Sequence, residues 1–274
     1  MSARDRGEVP GDAQFVGSIP EVYERLLVPL IFAEPAARLA ETIAASSPRD
    51  VLETAAGTGV VTRALRERLP EAEITATDLN EAMMATARDQ SSPEGVRWRQ
   101  ADALDLAFDN ASFDAVACQF GVMFFPDRTA GYAEAKRVLR PGGVFVFNVW
   151  DSLAANPIAQ VVADAMVRAA PGSPPQFLSR TPYGYFDHDQ LRADVEAAGL
   201  TAQIEVCSGT NRGTAEEIAT AFCQGTPLRA EIEAHPTLGV EEATTAATEL
   251  LLQRLGDGVI VAPSSWIQVV AESA

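Results

Sequence analysis

Glu53, Gly57, Gly59, Asp78 and Asp102 have the types and the spacing to hold a small adenosine-bearing ligand. The first three lie in VLETAAGTGVVT, residues 51–62, where an apolar run meets small residues and then a helical pattern. Gly57 and Gly59 admit positive backbone dihedrals and a close approach of ligand to main chain. The amides that open the next helix can donate to a carboxylate or phosphate. Asp78, nineteen residues beyond Gly59, can accept both hydroxyls of a ribose. Asp102 can accept from the exocyclic amine of adenine while the Ala103 amide donates to the adjacent ring nitrogen. Without a ligand, the same residues would make a plain turn and helix caps.

Two ligands fit this set and imply different chemistry. A nicotinamide dinucleotide would mean an NAD(P)-dependent oxidoreductase; S-adenosylmethionine would mean methyl transfer. Glu53 separates them, because a carboxylate beside the turn repels a pyrophosphate but suits a ligand that carries a sulfonium and an ammonium. Asp102 also lies outside the dinucleotide fingerprint. The scarcity of acid and base side chains near these positions motivates a third reading, a non-catalytic module that binds S-adenosylmethionine.

The elements that must position these residues can be read from periodicity. From Asp50, short apolar runs alternate with amphipathic segments: DVLETA, TRALRERL, EITATD, EAMMATARDQ, VRWRQ, FDAVACQF, YAEAKRVLR and GVFVFNVW. This alternation predicts a parallel sheet with helices on both faces, and ligands bind such sheets beyond the carboxyl ends of the strands. Pro70 closes the first helix of this core, Asn80 caps the second, and Pro141-Gly142-Gly143 stops the fourth. Residues 20–45 have helical periodicity that Pro20, Pro29 and Pro35 are expected to break into short pieces, and residues 1–14 are polar and expected to be loose. After Trp150, residues 155–170 read as a helix and PGSPP (171–175) as a loop. FDHDQLRADVEAAGL restarts a helix with Asp187 as cap and Gln190 completing a capping box. TAQIEVCS and SSWIQVVAES read as late strands around a mostly helical stretch over 214–255. The expected organisation is one domain over 1–274, with a helical lid (1–45), a ligand-binding core (50–150) and substrate-cap insertions (152–186 and 208–260).

Four segments, VLETAAGTG (51–59), ATDLNEAMM (76–84), RQADALDLAFDNASFDAV (99–116) and VLRPGG (138–143), together resemble the core of class I S-adenosylmethionine-dependent methyltransferases. The likeness is to the group that includes ubiquinone and menaquinone biosynthesis enzymes. It implies an α/β, Rossmann-like, seven-stranded and mostly parallel sheet of order 3-2-1-4-5-7-6, with the last strand antiparallel and helices on both faces. It also implies that the turn carrying Glu53, Ala55, Gly57 and Gly59 touches the methionine part of the cofactor. Asp78 would take the ribose with Leu79 and Met83 nearby, Asp102 and Ala103 the adenine, and Cys118 and Gln119 would lie near the sulfonium. FVGSIPEVYERLLVPLIF resembles the N-terminal segment that folds over the cofactor, with Tyr23 and Phe15 as lid contacts. Members of this group usually have glycine where Ala55 stands.

The implied reaction moves a methyl group to a small organic acceptor and leaves S-adenosylhomocysteine. Alignment and exclusion of water are its main requirements, with a base added if the acceptor must lose a proton. The candidates for that polar work are few: His188 in the turn after Asp187, Asn148 within VFVFNVW, and Gln119. His235, beside Glu231 and Glu233, reads as a surface charge partner. Phe15, Asn148, Trp150, Tyr183, Tyr185 and Arg229 are the candidates to line an acceptor pocket, and Arg180 falls in the same RTPYGYF stretch; each also has an ordinary packing role.

Composition narrows the partners. The chain has 274 residues, 47% of them hydrophobic, and a formal net charge of −17, which disfavours nucleic acid, anionic membrane and polyanionic acceptors. Cys118, Cys207 and Cys223 are scattered and predict reduced thiols, and no His/Asp/Glu spacing predicts a metal site. The start has no apolar stretch of signal-peptide length, and LLVPLIFA at 26–33 is too short to span a bilayer. A cytoplasmic monomer or homodimer is the expectation.

Overall fold

The strands of the computed structural model, which describes residues 12, 13, 15, 17–89 and 94–273, are β1 (Asp50–Glu53), β2 (Glu73–Asp78), β3 (Val96–Gln100), β4 (Phe113–Gln119), β5 (Leu139–Trp150), β6 (Leu200–Thr214) and β7 (Val259–Ser273). They form one seven-stranded sheet in the order β3-β2-β1-β4-β5-β7-β6. The pairings among β1 to β5 are parallel, and β7 runs antiparallel between β5 and β6. This is the order that the resemblance implies. The expected loose stretch over 1–14 lies outside the described residues except for Asp12 and Ala13.

The helices are α1 (Ile19–Val22), α2 (Ala33–Ala44), α3 (Val60–Arg68), α4 (Glu81–Asp89), α5 (Arg128–Val138), α6 (Pro157–Ala169), α7 (Phe177–Arg180), α8 (His188–Ala197), α9 (Ala215–Gly225), α10 (Leu228–Glu233) and α11 (Val240–Leu255). Strand alternation divides the core. Val51, Ile74, Ala115, Ala117 and Val146 face Leu39, Ile43, Val61 and Leu65 of α2 and α3. Leu52, Val116, Phe145 and Phe147 face the opposite side, where Tyr132, Leu191 and Val195 of α5 and α8 pack. Helices α6, α9 and α11 pack on one another beyond this second layer. Each fully buried Val, Leu, Ile or Phe adds about 1.5–3 kcal/mol of apolar burial, so both layers fix the strands firmly.

Two expectations need correction. The N-terminal helix is not broken at Pro29, because Tyr23–Phe32 is wound as a wider π-type helix that contains Pro29 and runs directly into α2. In that winding the carbonyls are aimed at amides five residues on, so the carbonyl four residues before Pro29 need not point at its ring, and the missing N–H costs a single bond rather than the helix. The late strands are also longer than their apolar runs. β6 and β7 pair from Leu200↔Ser273 to Thr214↔Val259, well past Trp266, where pairing with β5 ends at Trp150. The polar stretch SGTNRGT is thereby held as strand by its partner. Asn80 does cap α4, its Oδ1 accepting from Ala82 N at 3.0 Å, and Asp187 caps α8, accepting from Gln190 N at 2.9 Å. A reciprocal capping box is found at Thr214 and Glu217, which open α9. No helix among the described residues is long and apolar enough to cross a membrane.

Candidate functional site

The strand order reverses between β1 and β4, and that crevice is where an open parallel sheet offers a ligand site. The backbone is strained there. Ala55 beyond β1 has φ 52° and Phe120 beyond β4 has φ 53°, with Gly57 at 57° and Gly59 at 82° between the first strand and α3. A left-handed conformation costs a non-glycine residue about 1–2 kcal/mol, so two such residues at adjacent strand ends mark a site that the surrounding packing overrides. The two glycines do different work. A Cβ on Gly59 would lie 2.9 Å from the Trp98 ring, so its bareness serves packing against β3, whereas a Cβ on Gly57 would meet only the Met83 methyl at 3.5 Å.

Around this turn the acids converge. Asp78, at the end of β2, accepts from Gly57 N at 2.8 Å through Oδ2 and from Asn80 N at 2.7 Å through Oδ1; each oxygen keeps a lone pair for a hydroxyl. Burial raises the Asp78 carboxyl above its ordinary value, and the two amide bonds oppose that rise. Glu53 is buried and accepts from the Thr62 hydroxyl. Burial, opposed by that bond, pushes its carboxyl up to about 8. Tyr23 is half-buried, and desolvation together with the Asp78 and Glu24 carboxylates raises its hydroxyl. Arg63 then ties the N-terminal helix to the turn, donating to Glu24 Oε1 and to the Thr58 carbonyl, each at 2.8 Å. No side chain caps α3, which leaves its first amides for a ligand carboxylate.

Toward β3, Leu79 is 60% exposed, a large apolar side chain beside Asp78 at the rim. Met83 is buried beneath the turn. Asp102 is exposed, and its Oδ1 accepts from Leu104 N at 2.9 Å; Ala103 is half-buried beside it.

On the opposite side the aromatic rings form one connected wall. Phe120 stacks on Trp150 with centroids 3.9 Å apart and 6° between planes. Phe32 touches both, Tyr23 stacks on Phe32 at 4.8 Å, and Phe15 meets Tyr23 and Phe124 edge-on. Tyr183 stacks against Trp150 at 5.7 Å. Of the two tyrosines expected to line an acceptor pocket, only Tyr183 meets this wall. Tyr185 turns to the α5–α8 side, its hydroxyl donating to Asp194 at 2.7 Å and lying 3.2 Å from the Tyr132 hydroxyl.

The polar candidates are absorbed into the scaffold. Gln119, Asn148 and Gln268 are in register on β4, β5 and β7. The Asn148 amide donates to Gln119 Oε1 and Pro35 O and accepts from Gln268, which in turn accepts from Thr42 at 2.8 Å; Gln119 donates to Phe32 O at 3.2 Å. Arg229 bonds Ser18 at 2.6 Å and Glu233 at 2.8 Å, fastening α10 to the start of α1. Arg180 pairs with Asp12 and Glu231. His188 is exposed in the first turn of α8, and the His235 ring accepts from Thr237 N at 3.3 Å. All three cysteines are buried and free, and burial pushes the Cys118 and Cys223 thiols up to about 12. No group of three or more His, Cys, Asp or Glu among the described residues could hold a metal ion.

Sequence reading had not singled out Glu24, Thr58, Thr62, Arg63, Phe32, Phe120 and Gly121. Only the aromatic run QFGVMFF after β4 carried a signal, and it reads equally as core.

A sulfonium amino acid joined to adenosine fits these residues. The rim acids have the chemistry for ribose hydroxyls and an adenine amine, the free amides of α3 that for a carboxylate, and two buried polar atoms, Thr58 Oγ1 in the turn and Glu24 Oε2 on the N-terminal helix, lack a hydrogen-bond partner.

Comparison with known proteins agrees. Residues 52–147 match a family described as a methyltransferase domain. A demethylmenaquinone methyltransferase of Deinococcus radiodurans is 45% identical over 104 residues, covering 37% of this chain and 43% of that protein. The ubiquinone/menaquinone biosynthesis C-methyltransferase UbiE of Burkholderia vietnamiensis is 34% identical over 165 residues, covering 56% of this chain and 67% of that protein. Among solved structures, phosphoethanolamine N-methyltransferase 2 of Haemonchus contortus, in complex with phosphomonomethylethanolamine and S-adenosylhomocysteine, has the same fold, with a TM-score of 0.57, 15% identity, and coverage of 96% of this chain and 59% of that one. The chain thus spans less than half the length of the first of these relatives.

Proposed function

The chain belongs to the class I S-adenosylmethionine-dependent methyltransferase family, and from that premise we propose that it transfers the methyl group of S-adenosylmethionine to a small organic acceptor. The observation that carries this reading is the convergence of Asp78, Glu53 and the uncapped start of α3 on a turn strained at Ala55. The bound cofactor supplies an electrophilic methyl on a sulfonium, and displacement at that carbon needs alignment and dry surroundings more than covalent help.

The residues divide the work accordingly. Asp78 would hold the ribose hydroxyls and Leu79 cover the adenine face, with Asp102 and Ala103 reading the adenine edge. The amides of α3 would take the carboxylate. Ala55, Gly57 and Met83 would shape the floor, and Cys118, behind Ala55, would act by packing alone. The wall of Phe15, Tyr23, Phe32, Phe120 and Trp150 would exclude water and favour a flat, apolar acceptor. The relatives named for quinone biosynthesis support an acceptor of that shape, and the net charge of −17 counts against a polyanion. The described residues of the lid, from Ile19 to Ala44, and the cap segments 152–186 and 208–260 would close over it. No comparison supports the oxidoreductase reading.

Calorimetric titration with S-adenosylhomocysteine and with NADH tests the cofactor, and release of S-adenosylhomocysteine with a panel of quinols, phenols, amines and thiols tests turnover. Binding of the first ligand and turnover with a ring-bearing acceptor are expected. Binding of NADH alone would sink the proposal, and cofactor binding without any product would reduce the protein to a binding module.

A further inference from the structure

We infer that Glu24, delivered by the N-terminal helix, receives the α-ammonium group of the cofactor, an inference that rests on the S-adenosylmethionine reading of the same site. An ammonium sealed from water needs acceptor atoms with free capacity and negative charge. Three carboxylates border the turn. Asp78 is placed for the ribose, at the end of β2, with one amide bound to each oxygen. Glu53 ends β1 and is engaged by Thr62 of α3. Glu24 is different: its Oε1 is held by Arg63, while its Oε2 is buried with no hydrogen-bond partner.

Position supports the same assignment. One guanidinium bridges Glu24 Oε1 and the carbonyl of Thr58, so the carboxylate stands one guanidinium's width from the middle of the glycine turn. Thr58 itself is 1% exposed, and its hydroxyl is the other unpartnered polar atom there. With the adenosine end assigned to Asp78, Leu79 and Asp102, the amino-acid end reaches this turn, and its carboxylate has the α3 amides. Glu24 and Asp78 outnumber Arg63, and a cation here would also favour ionisation of the buried Glu53, so the surroundings favour a further positive charge. Because Glu24 adjoins Tyr23 on the N-terminal helix, the contact would also join cofactor binding to the seating of that helix.

The test compares two probes on the full chain by calorimetry: S-adenosylhomocysteine and its desamino analogue, which keeps the carboxylate and lacks the ammonium. Glu24→Gln retains an oxygen for Arg63. It is expected to weaken S-adenosylhomocysteine by about tenfold to about a hundredfold, as loss of one partner in a buried charge pair does, and to leave the analogue within about threefold. Equal weakening of both probes, or no weakening, would overturn the assignment. If Glu24→Gln does not fold, Glu24→Asp gives the same comparison, with a smaller preferential loss for S-adenosylhomocysteine expected and equal effects again decisive against it. Failure of the wild-type chain to bind either probe would instead reject the cofactor reading on which the inference stands.

Discussion

The methyl group of Ala55 fills the space that a side chain at Gly121 would require. A Cβ at Gly121 would lie 2.5 Å from the Ala55 Cβ and 2.8 Å from Cys118 Sγ. An alanine in a left-handed turn is thus accommodated by the bareness of the residue beyond β4. Gly121→Ala is expected to cost about 1–3 kcal/mol through overpacking, and adding Ala55→Gly should recover part of it, Cys118 accounting for the rest. Urea unfolding of the four-member mutant cycle measures this, with a coupling of about 1 kcal/mol or more expected. Strict additivity would mean that the two residues do not share this space.

Asp78 makes a second prediction. Asn at this position keeps the shape but loses the charge and one acceptor, so Asp78→Asn should weaken S-adenosylhomocysteine by about 2–3 kcal/mol, the range for hydrogen bonds to a charged group. Calorimetry reads the change directly. Unaltered affinity would remove Asp78 from the ribose contact.

Glu53 should make stability fall as pH rises. Its folded carboxyl titrates near 8 against an ordinary 4.5 because it is buried. Between those values the native state binds more protons than the unfolded chain, so the contribution is complete below about 4.5 and lost as pH passes 8. The stability difference between wild type and Glu53→Gln should therefore shrink across this window, by at most ~1.4 kcal/mol per pH unit. Denaturation midpoints from pH 5 to 9, on the order of one unit apart, would show it; a pH-independent difference would contradict it. Below pH 8 a cationic ligand that ionises Glu53 should release a proton on binding, visible as a buffer-dependent heat.

Asn148 is expected to matter for folding more than for turnover. Asn148→Leu leaves Gln119 and Gln268 with unanswered amide groups in a buried row, at a cost of about 2–4 kcal/mol. The folded variant should retain kcat within about threefold, since Asn148 would not touch the reacting atoms. A large drop in kcat at unchanged stability would give the residue a different role.

Much of this arrangement was legible in the sequence, for identifiable reasons. Strands buried on both faces read as apolar runs between amphipathic helices, so most of β1 to β5 follow from periodicity, whereas their order in the sheet follows only from the family resemblance. Asp78 stands out because it ends such a run, and Asp102 because it follows the next strand by two residues. The row Gln119–Asn148–Gln268 was not legible, since its members are joined by cross-strand register rather than spacing. SGTNRGT looks like a loop because Gly209, Asn211 and Gly213 have poor strand propensity, yet a continuous ladder with β7 holds it extended. Glu24 was equally hidden: a charged residue in an amphipathic helix looks like solvent face until its partner Arg63 is located.

The amide row also divides the N-terminal segment dynamically. Through Thr42, Gln268, Asn148 and Pro35 O, helix α2 is bonded into the middle of the sheet, whereas residues before Tyr23 are fastened by peripheral contacts such as Asp12 to Arg180 and Ser18 to Arg229. In amide hydrogen exchange α2 should open only with the core, and α1 should open far more readily. The boundary is expected within the π-type helix Tyr23–Phe32, which joins the segment fastened at its edges to the one bonded into the sheet.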